Sequence, residues 1–302
     1  MRRRKGERAA AEPPLLDRIS GLERLLRDTK DANALLESRT SALLGLCTRK
    51  LLEAEERDRD LIELALRRQP LSAPTARLVT ENPVAIDGAD HVFPRGTRND
   101  NTRHLRFVRA CEKLFPKPIR HLDLGCAGGG LVWDFLLGGH ASYGIERSNF
   151  SKLEQRAEWR SIPEYLFTAD ITKPFAFTDA SENPLTFQVI SAWEVLEHIH
   201  EKDLAGLIDN IDRHLAPSGV FVASVATFED RDPSIGAVWH VTVRPPDWWH
   251  ERFSSRGWSA ERDLLSHRDF VRGIGNPSGD DWDAKTHPQL GFHLVYRKKL
   301  EA

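Results

Sequence analysis

Between His121 and Leu137 the chain passes from a short apolar strand pattern through four glycines in six residues (Gly125, Gly128, Gly129 and Gly130) into an apolar helical pattern. Glycines at such a junction let the backbone turn sharply and bring its amides close to a ligand at a helix N-terminus, where partial positive charge collects. This constrains the fold, because the turn needs a strand before it, a helix after it and a sheet for the strand to join. From Arg120 onward short β-branched runs alternate with amphipathic stretches, the pattern of a parallel sheet covered by helices on both faces. The runs predict strands at His121 to Leu124, Ala141 to Glu146, Tyr165 to Ala169, Phe187 to Ala192 and Val220 to Val225. A last strand is expected at Phe292 to Arg297, after a glycine-rich loop at Gly273 to Gly279.

Three acids close successive strands of this pattern: Asp123 before the glycine turn, Glu146 and Asp170. Ligands of open α/β sheets bind beyond the carboxyl ends of the strands, so three acids at one edge point to a binding site. Glu146 is placed to accept hydrogen bonds from both hydroxyls of a ribose. Asp123 separates the two candidate nucleoside cofactors. Two residues before the first glycine it would repel a pyrophosphate, but it suits a methionine end whose ammonium and sulfonium are both positive. The dinucleotide spacing is also broken, since its second glycine position holds Ala127. Cys126 has nothing beside it in sequence to activate a thiol.

The stretch from His121 to Gly130 resembles the first motif of the class I S-adenosylmethionine-dependent methyltransferases. Gly144-Ile-Glu146-Arg147-Ser148 is similar to their ribose-binding motif, Thr168-Ala-Asp170-Ile171 to the adenine-contacting motif, and Leu215-Ala-Pro-Ser-Gly219 to the turn into the fifth strand. The likeness spans about residues 99 to 226. It implies an α/β fold, a Rossmann-like seven-stranded sheet with helices on both faces. It also implies that Asp123, Gly125, Cys126, Ala127 and Gly129 surround the methionine portion, that Glu146 with Arg147 holds the ribose, that Asp170 and Ile171 meet adenine, and that Trp193 adjoins the cofactor.

After the fourth predicted strand the chain reads Trp193-Glu194-Val-Leu-Glu197-His198. On a helical turn Glu194, Glu197 and His198 would project to one side. His198, with Glu194, could then act as a general base on an acceptor hydroxyl or amine. Equally, Glu194, Glu197 and His198 could form an open site for a divalent metal such as magnesium, whose Lewis acidity would activate the acceptor. The arrangement is similar to that in ubiquinone-pathway O-methyltransferases and small-RNA 2′-O-methyltransferases, where it serves metal binding together with a later histidine. By that resemblance His240 is the fourth ligand. His200 falls on another face and is expected at the surface. Trp239, Trp248 and Trp249 follow the fifth strand; Trp239 and His240 are expected in the acceptor pocket, and at least one of the pair Trp248 and Trp249 in the core. Asn99 to Thr102 is expected to cap a helix at Arg103 to Leu114, with Asn101 or Thr102 as possible cofactor contacts.

The region before residue 75 is different. From Leu15 to about Arg68 there is no proline, and leucines recur at helical spacing. One seam falls on Leu15, Leu22, Thr29, Leu36, Leu43 and Lys50, with Ile19, Leu26, Asn33, Thr40, Cys47 and Ala54 interleaved, an approximate heptad pattern. A long coiled-coil-like helix or a helical hairpin is expected, able to form a homo-oligomer, with Gly21, Gly45 and the acidic stretch Glu53 to Asp60 as candidate breaks. Residues 1–74 are therefore read as a basic tail and helical region, and residues 75–302 as the catalytic domain, with Pro70, Pro74 and Pro83 punctuating the junction.

The 302 residues hold 45 acidic and 43 basic side chains, a net charge of −2 that argues against a whole-protein grip on nucleic acid. Apolar runs fall short of the roughly 18 residues of a membrane span. Three cysteines with no close pair encode neither a disulfide framework nor a cysteine zinc site, and fit the reducing cytoplasm. The expected activity is O-methylation of a small-molecule, sugar or glycan acceptor. The alternatives are a metal-assisted RNA 2′-O-methyltransferase and a non-catalytic assembly subunit of the same fold.

Overall fold

The computed structural model describes residues 15–67, 75–275 and 282–298. These fall into two units that divide between Glu63 and Leu64. The basic tail and Pro70 and Pro74 lie outside the described residues.

One helix, α1 (Leu15–Arg67), 53 residues long, carries all the described residues of the first unit. It runs unbroken through Gly21 and Gly45 and through the acidic stretch, so none of the three expected breaks occurs and the helical hairpin is excluded. A single glycine costs a helix only about 1 kcal/mol relative to alanine, which long flanking runs of leucine, glutamate and arginine absorb.

In the second unit seven strands form one sheet: β1 (Arg120–Leu124), β2 (Ala141–Glu146), β3 (Leu166–Thr168), β4 (Phe187–Trp193), β5 (Leu215–Ala226), β6 (Trp258–Ala260) and β7 (Gly291–Lys298). Their order is β3-β2-β1-β4-β5-β7-β6. The first five run parallel; β7 pairs antiparallel with β5, and β6 pairs antiparallel with β7, so β7 alone runs against the other six. The chain winds outward from β1 to β3, then crosses back to β4, so the switch point lies between β1 and β4, where open sheets of this type bind ligands. All six expected strands are present. β6 was not expected, and neither was a small antiparallel pair of Arg77–Thr80 with Phe175–Thr178. Each of these strands is only three or four residues long, too short to show a period.

The strands alternate between two cores. Val189, Val220, Val222 and Val295 pack with Phe107 of α2 (Leu105–Leu114) and with Leu131 and Phe135 of α3 (Gly130–Leu137). Their neighbours Ile190, Phe221, Ala223 and Leu294 face the other way, toward Leu207 and Ile211 of α4 (Leu204–His214) and Trp249 and Phe253 of α5 (Pro246–Ser254). Helices thus cover both faces. No helix among the described residues is long and apolar enough to cross a membrane.

The expected cap of α2 is corrected. The helix begins at Leu105, and the imidazole of His104 accepts from the Phe107 amide at 3.1 Å. Asn101 and Thr102 are occupied elsewhere: Asn101 donates to Glu158 at 3.2 Å, and the Thr102 hydroxyl donates to Asp100 at 2.7 Å.

Of the two adjacent tryptophans, Trp249 has no exposed surface, whereas Trp248 is partly exposed beneath Arg252. Trp249→Ala should therefore destabilise the protein by about 3–5 kcal/mol, and Trp248→Ala by clearly less. Urea unfolding of the two variants measures the difference; equal losses would contradict the packing described.

Candidate active site

All five parallel strands end at the same edge, and the loops that follow them enclose a cavity of about 690 Å³. From β1 come Gly125 and Ala127, from β2 Glu146 and Arg147, from the segment after β3 Ile171, from β4 Trp193, Glu194 and His198, and from the loop after β5 Asp230, Trp239 and His240. A strap before α2 closes another side with Asp90, Arg95, Thr97 and Asp100.

The glycine turn is held against the end of β2. The amides of Gly125 and Cys126 donate to the Ile145 carbonyl, and the Ala127 amide donates to the Glu146 carboxylate at 2.8 Å. Ala127 adopts a left-handed backbone with φ of 44°, which explains why glycine would be the easier residue there. Its carbonyl accepts from the Trp159 indole at 2.8 Å, so bonds on both sides of the residue fix this conformation.

Two of the four glycines serve the strap. A Cβ on Gly128 would lie 2.4 Å from the Asn101 side chain, and one on Gly130 would lie 2.6 Å from the Thr102 carbonyl. Gly129 (φ 89°) packs against Leu166, and the Cys126 sulfur against Gly144, so neither reaches the cavity surface. Burial pushes the Cys126 thiol up, which leaves it without a nucleophile's ionisation.

The three strand-end acids have different fates. Glu146 lines the cavity; its carboxylate also accepts from the Ser148 amide and the Thr97 hydroxyl, and burial raises its pKa against the pull of those amides. Asp123 is buried beneath the turn and accepts from the Ser191 hydroxyl at 2.6 Å. Asp170 turns its carboxylate onto its own loop, accepting from the amide and hydroxyl of Thr172 at 3.0 and 2.7 Å, while Ile171 lines the cavity in its place.

The motif after β4 does not form the expected α-helical turn. Glu194 sits at φ 55°, and only Leu196–His198 forms a short 3-10 turn. This rotates Glu194 away from its neighbours: its carboxylate accepts from the Ser224 hydroxyl at 2.8 Å and from the Trp282 indole at 3.1 Å. Glu197, His198 and His240 converge instead, each offering one atom within 4.8 Å of the others. Glu194 does not join that cluster. His200 is exposed, and Trp239 and His240 both line the cavity.

Hydrogen bonding fixes this corner. The His240 Nδ1 lies 2.7 Å from the Phe228 carbonyl, which can only accept, so Nδ1 carries the proton and Nε2 keeps its lone pair. Burial, then the neighbouring charge of His198, lowers the His240 pKa to about 4. The Glu197 carboxylate accepts from the Ala226 amide at 3.0 Å through Oε1, whereas Oε2 is buried with no hydrogen-bond partner. His198 Nδ1 faces Asp90 Oδ2 at 3.1 Å. Burial works against the charged imidazole, but Asp90 and Glu197 outweigh it and raise its pKa. Asp90 follows the reverse logic: burial raises it, and His198 and Arg147 more than offset that. Sequence reasoning missed Asp90, Arg95, Thr97, Asp230 and Trp282. None of them belongs to a motif; Asp90 comes from a single helical turn, Ala89–Val92, in a stretch with no periodic pattern.

A family profile described as a methyltransferase domain matches residues 97–268. Among solved structures, the chain is similar to the glycopeptide N-methyltransferase MtfA at 16% identity and a TM-score of 0.41, covering 64% of this chain and 90% of that one. It is also similar to CalS10, an amino pentose methyltransferase from Micromonospora echinaspora, at 14% identity and a TM-score of 0.44, covering 69% and 97%. A TehB-like S-adenosylmethionine-dependent methyltransferase from Corynebacterium glutamicum matches at 16% identity and 0.42, covering 69% and 95%. No curated protein matches the sequence.

Asp123 generates a test. Burial, opposed by the Ser191 bond, raises its pKa from an ordinary 3.8 to about 7. Between about pH 4 and 7 the folded chain keeps a proton that the unfolded chain releases, so this group's contribution to stability falls as pH rises through that window and is constant above it. Asp123→Asn keeps the shape and an acceptor for Ser191 but removes the titration. Its stability relative to the parent should therefore climb from pH 5 to 8, as read from urea midpoints, and a difference independent of pH would contradict the assignment.

Proposed function

Since this chain belongs to the methyltransferase-domain family, we propose that it transfers a methyl group from S-adenosylmethionine to an oxygen of a small-molecule or sugar acceptor. The observation that carries this reading is the pairing of Asp90 with His198 on the wall of the same cavity that Glu146 lines. The cavity suits the cofactor: Glu146 offers carboxylate oxygens for ribose hydroxyls, and the Trp193 indole N–H is buried on the lining with no partner of its own. The bound cofactor supplies a methyl group on a positively charged sulfur, open to in-line attack. With Asp90 3.1 Å from the Nδ1 edge of His198, the Nε2 lone pair of the neutral ring can accept the proton that the acceptor hydroxyl loses, and the charge of Asp90 stabilises the resulting imidazolium. Holding the acceptor oxygen in line accounts for the larger part of the acceleration. The rim supports a neutral or zwitterionic acceptor over an RNA backbone, because Arg95 is paired with Asp230 and Arg272 with Asp100.

The orphaned Glu197 Oε2 favours a second reading of the same corner. Glu197, His198 and His240 would hold a divalent cation, which supplies Lewis acidity toward the acceptor hydroxyl. Two imidazoles and one carboxylate suit a first-row transition cation better than magnesium, which prefers oxygen donors.

Calorimetric titration tests the cofactor. S-adenosylmethionine should bind one site per chain, and Glu146→Gln should weaken it about tenfold or more, as loss of a charged acceptor does; no binding at millimolar cofactor would overturn the reading. Chelation separates the two versions of the corner. Turnover unchanged in excess chelator assigns proton removal to Asp90 and His198 alone, whereas turnover lost and restored by manganese or zinc, with the restoration absent in His240→Ala, assigns the cation.

A further inference from the structure

The seam of α1 is apolar, exposed and unusually specific in where it is polar. Leu15, Ile19, Leu22, Leu26, Leu36 and Leu43 are between 44% and 72% exposed. In heptad terms Leu15, Leu22, Thr29, Leu36 and Leu43 occupy d, and Ile19, Leu26, Asn33, Thr40 and Cys47 occupy a. Residues 15–47 of an α-helix span roughly 50 Å. That length gives a partner helix enough successive layers for specific packing. We propose that this seam binds a second copy of the chain, as a parallel, in-register, two-stranded coiled coil over residues 15–47.

The polar residues select both partner and register. In a parallel pair in register, a faces a and d faces d, so Asn33 meets Asn33, Thr40 meets Thr40 and Thr29 meets Thr29 of the second copy. An asparagine amide carries both donors and an acceptor, so it can satisfy a copy of itself. Antiparallel pairing sets a against d. Placing Asn33 opposite Thr29 then sets Thr40 opposite Leu22, and placing Asn33 opposite Leu36 leaves the amide facing hydrocarbon. An unpaired buried polar group is costly, so these arrangements are disfavoured. Leucine holds four of the five d positions, and a single asparagine at a is a device that fixes register and strand number. Thr29 needs no help from the partner, since its hydroxyl already donates to the Leu25 carbonyl at 2.7 Å.

The register carries its own reporter. Cys47 is exposed, whereas Cys111 and Cys126 are buried. In the parallel register the two Cys47 residues face each other across the seam, within the Cα separation a disulfide spans; with Asn33 opposite Thr29 in the antiparallel pairing, Cys47 faces Leu15. The test uses the full chain. Sedimentation equilibrium should give twice 34.3 kDa. Mild oxidation should convert the protein to a covalent dimer that reducing agent releases and that Cys47→Ser abolishes. The double variant Leu22→Asp, Leu36→Asp should sediment as a monomer and still titrate with S-adenosylmethionine. A monomeric parent, a dimer that Cys47 does not cross-link, or a double variant that remains dimeric would each overturn the proposal.

Discussion

Three central strands are held in register by a buried polar relay. Ser142 of β2, His121 and Asp123 of β1 and Ser191 of β4 form a chain of contacts at 2.9, 2.9 and 2.6 Å. Because Ser191 donates to Asp123, it can only accept from His121 Nε2, and Nδ1 must in turn accept from Ser142. Burial holds the imidazole neutral, as this arrangement requires, and Phe135 stacks on its face at 3.9 Å. A parallel strand slipped by one residue would turn every side chain to the opposite face and leave these groups unpaired in the core. The relay therefore also sets the positions of the Gly125–Gly129 turn, Glu146 and Trp193, which follow these strands.

The carboxyl edge of the sheet gathers buried acids, of which Glu146 lines the cavity and Asp123 and Glu197 are buried outside its lining. Burial raises Asp123, Glu146 and Glu197 together, so the edge of the sheet is costly to ionise without a cation. A positively charged ligand lowers that cost, whereas a pyrophosphate would add to it. The same electrostatics that separated two cofactors on the position of one aspartate thus extends over several carboxylates, and it favours a sulfonium nucleoside for a reason independent of the glycine spacing.

The parts legible in the sequence were those with a period or a motif. Five parallel strands, the glycine turn and the cavity positions of Glu146, Ile171, Trp193, Trp239 and His240 followed from alternation, spacing and resemblance. What could not be read depended on backbone shape. A left-handed residue at Glu194 is invisible in composition, yet it decides that Glu194 bonds Ser224 and Trp282 while Glu197 joins the two histidines. Asp90 was hidden for another reason: it lies on one isolated turn more than a hundred residues before His198, and only the fold brings them to 3.1 Å. The glycine loop also carries a demand that its sequence does not show: a Cβ on Gly128 or Gly130 would collide with Asn101 or Thr102.

The acid–base and cation readings of the His198 corner make the same demand on the chain. Each needs an imidazole Nε2 lone pair in the cavity, and each fails while that nitrogen carries a proton. The Phe228 carbonyl meets the demand at His240 through a fixed backbone acceptor, whereas at His198 the charge of Asp90 raises the pKa, so its lone pair is free only above an ordinary imidazole's range. The two outer partners are not equivalent. A carboxylate raises the basicity of its imidazole, which suits proton removal, whereas a carbonyl orients the ring and leaves its affinity for protons low, which suits a ligand or a neutral hydrogen-bond acceptor. His198 is thus the better base and His240 the better anchor, and the division holds whichever group the Glu197 carboxylate faces.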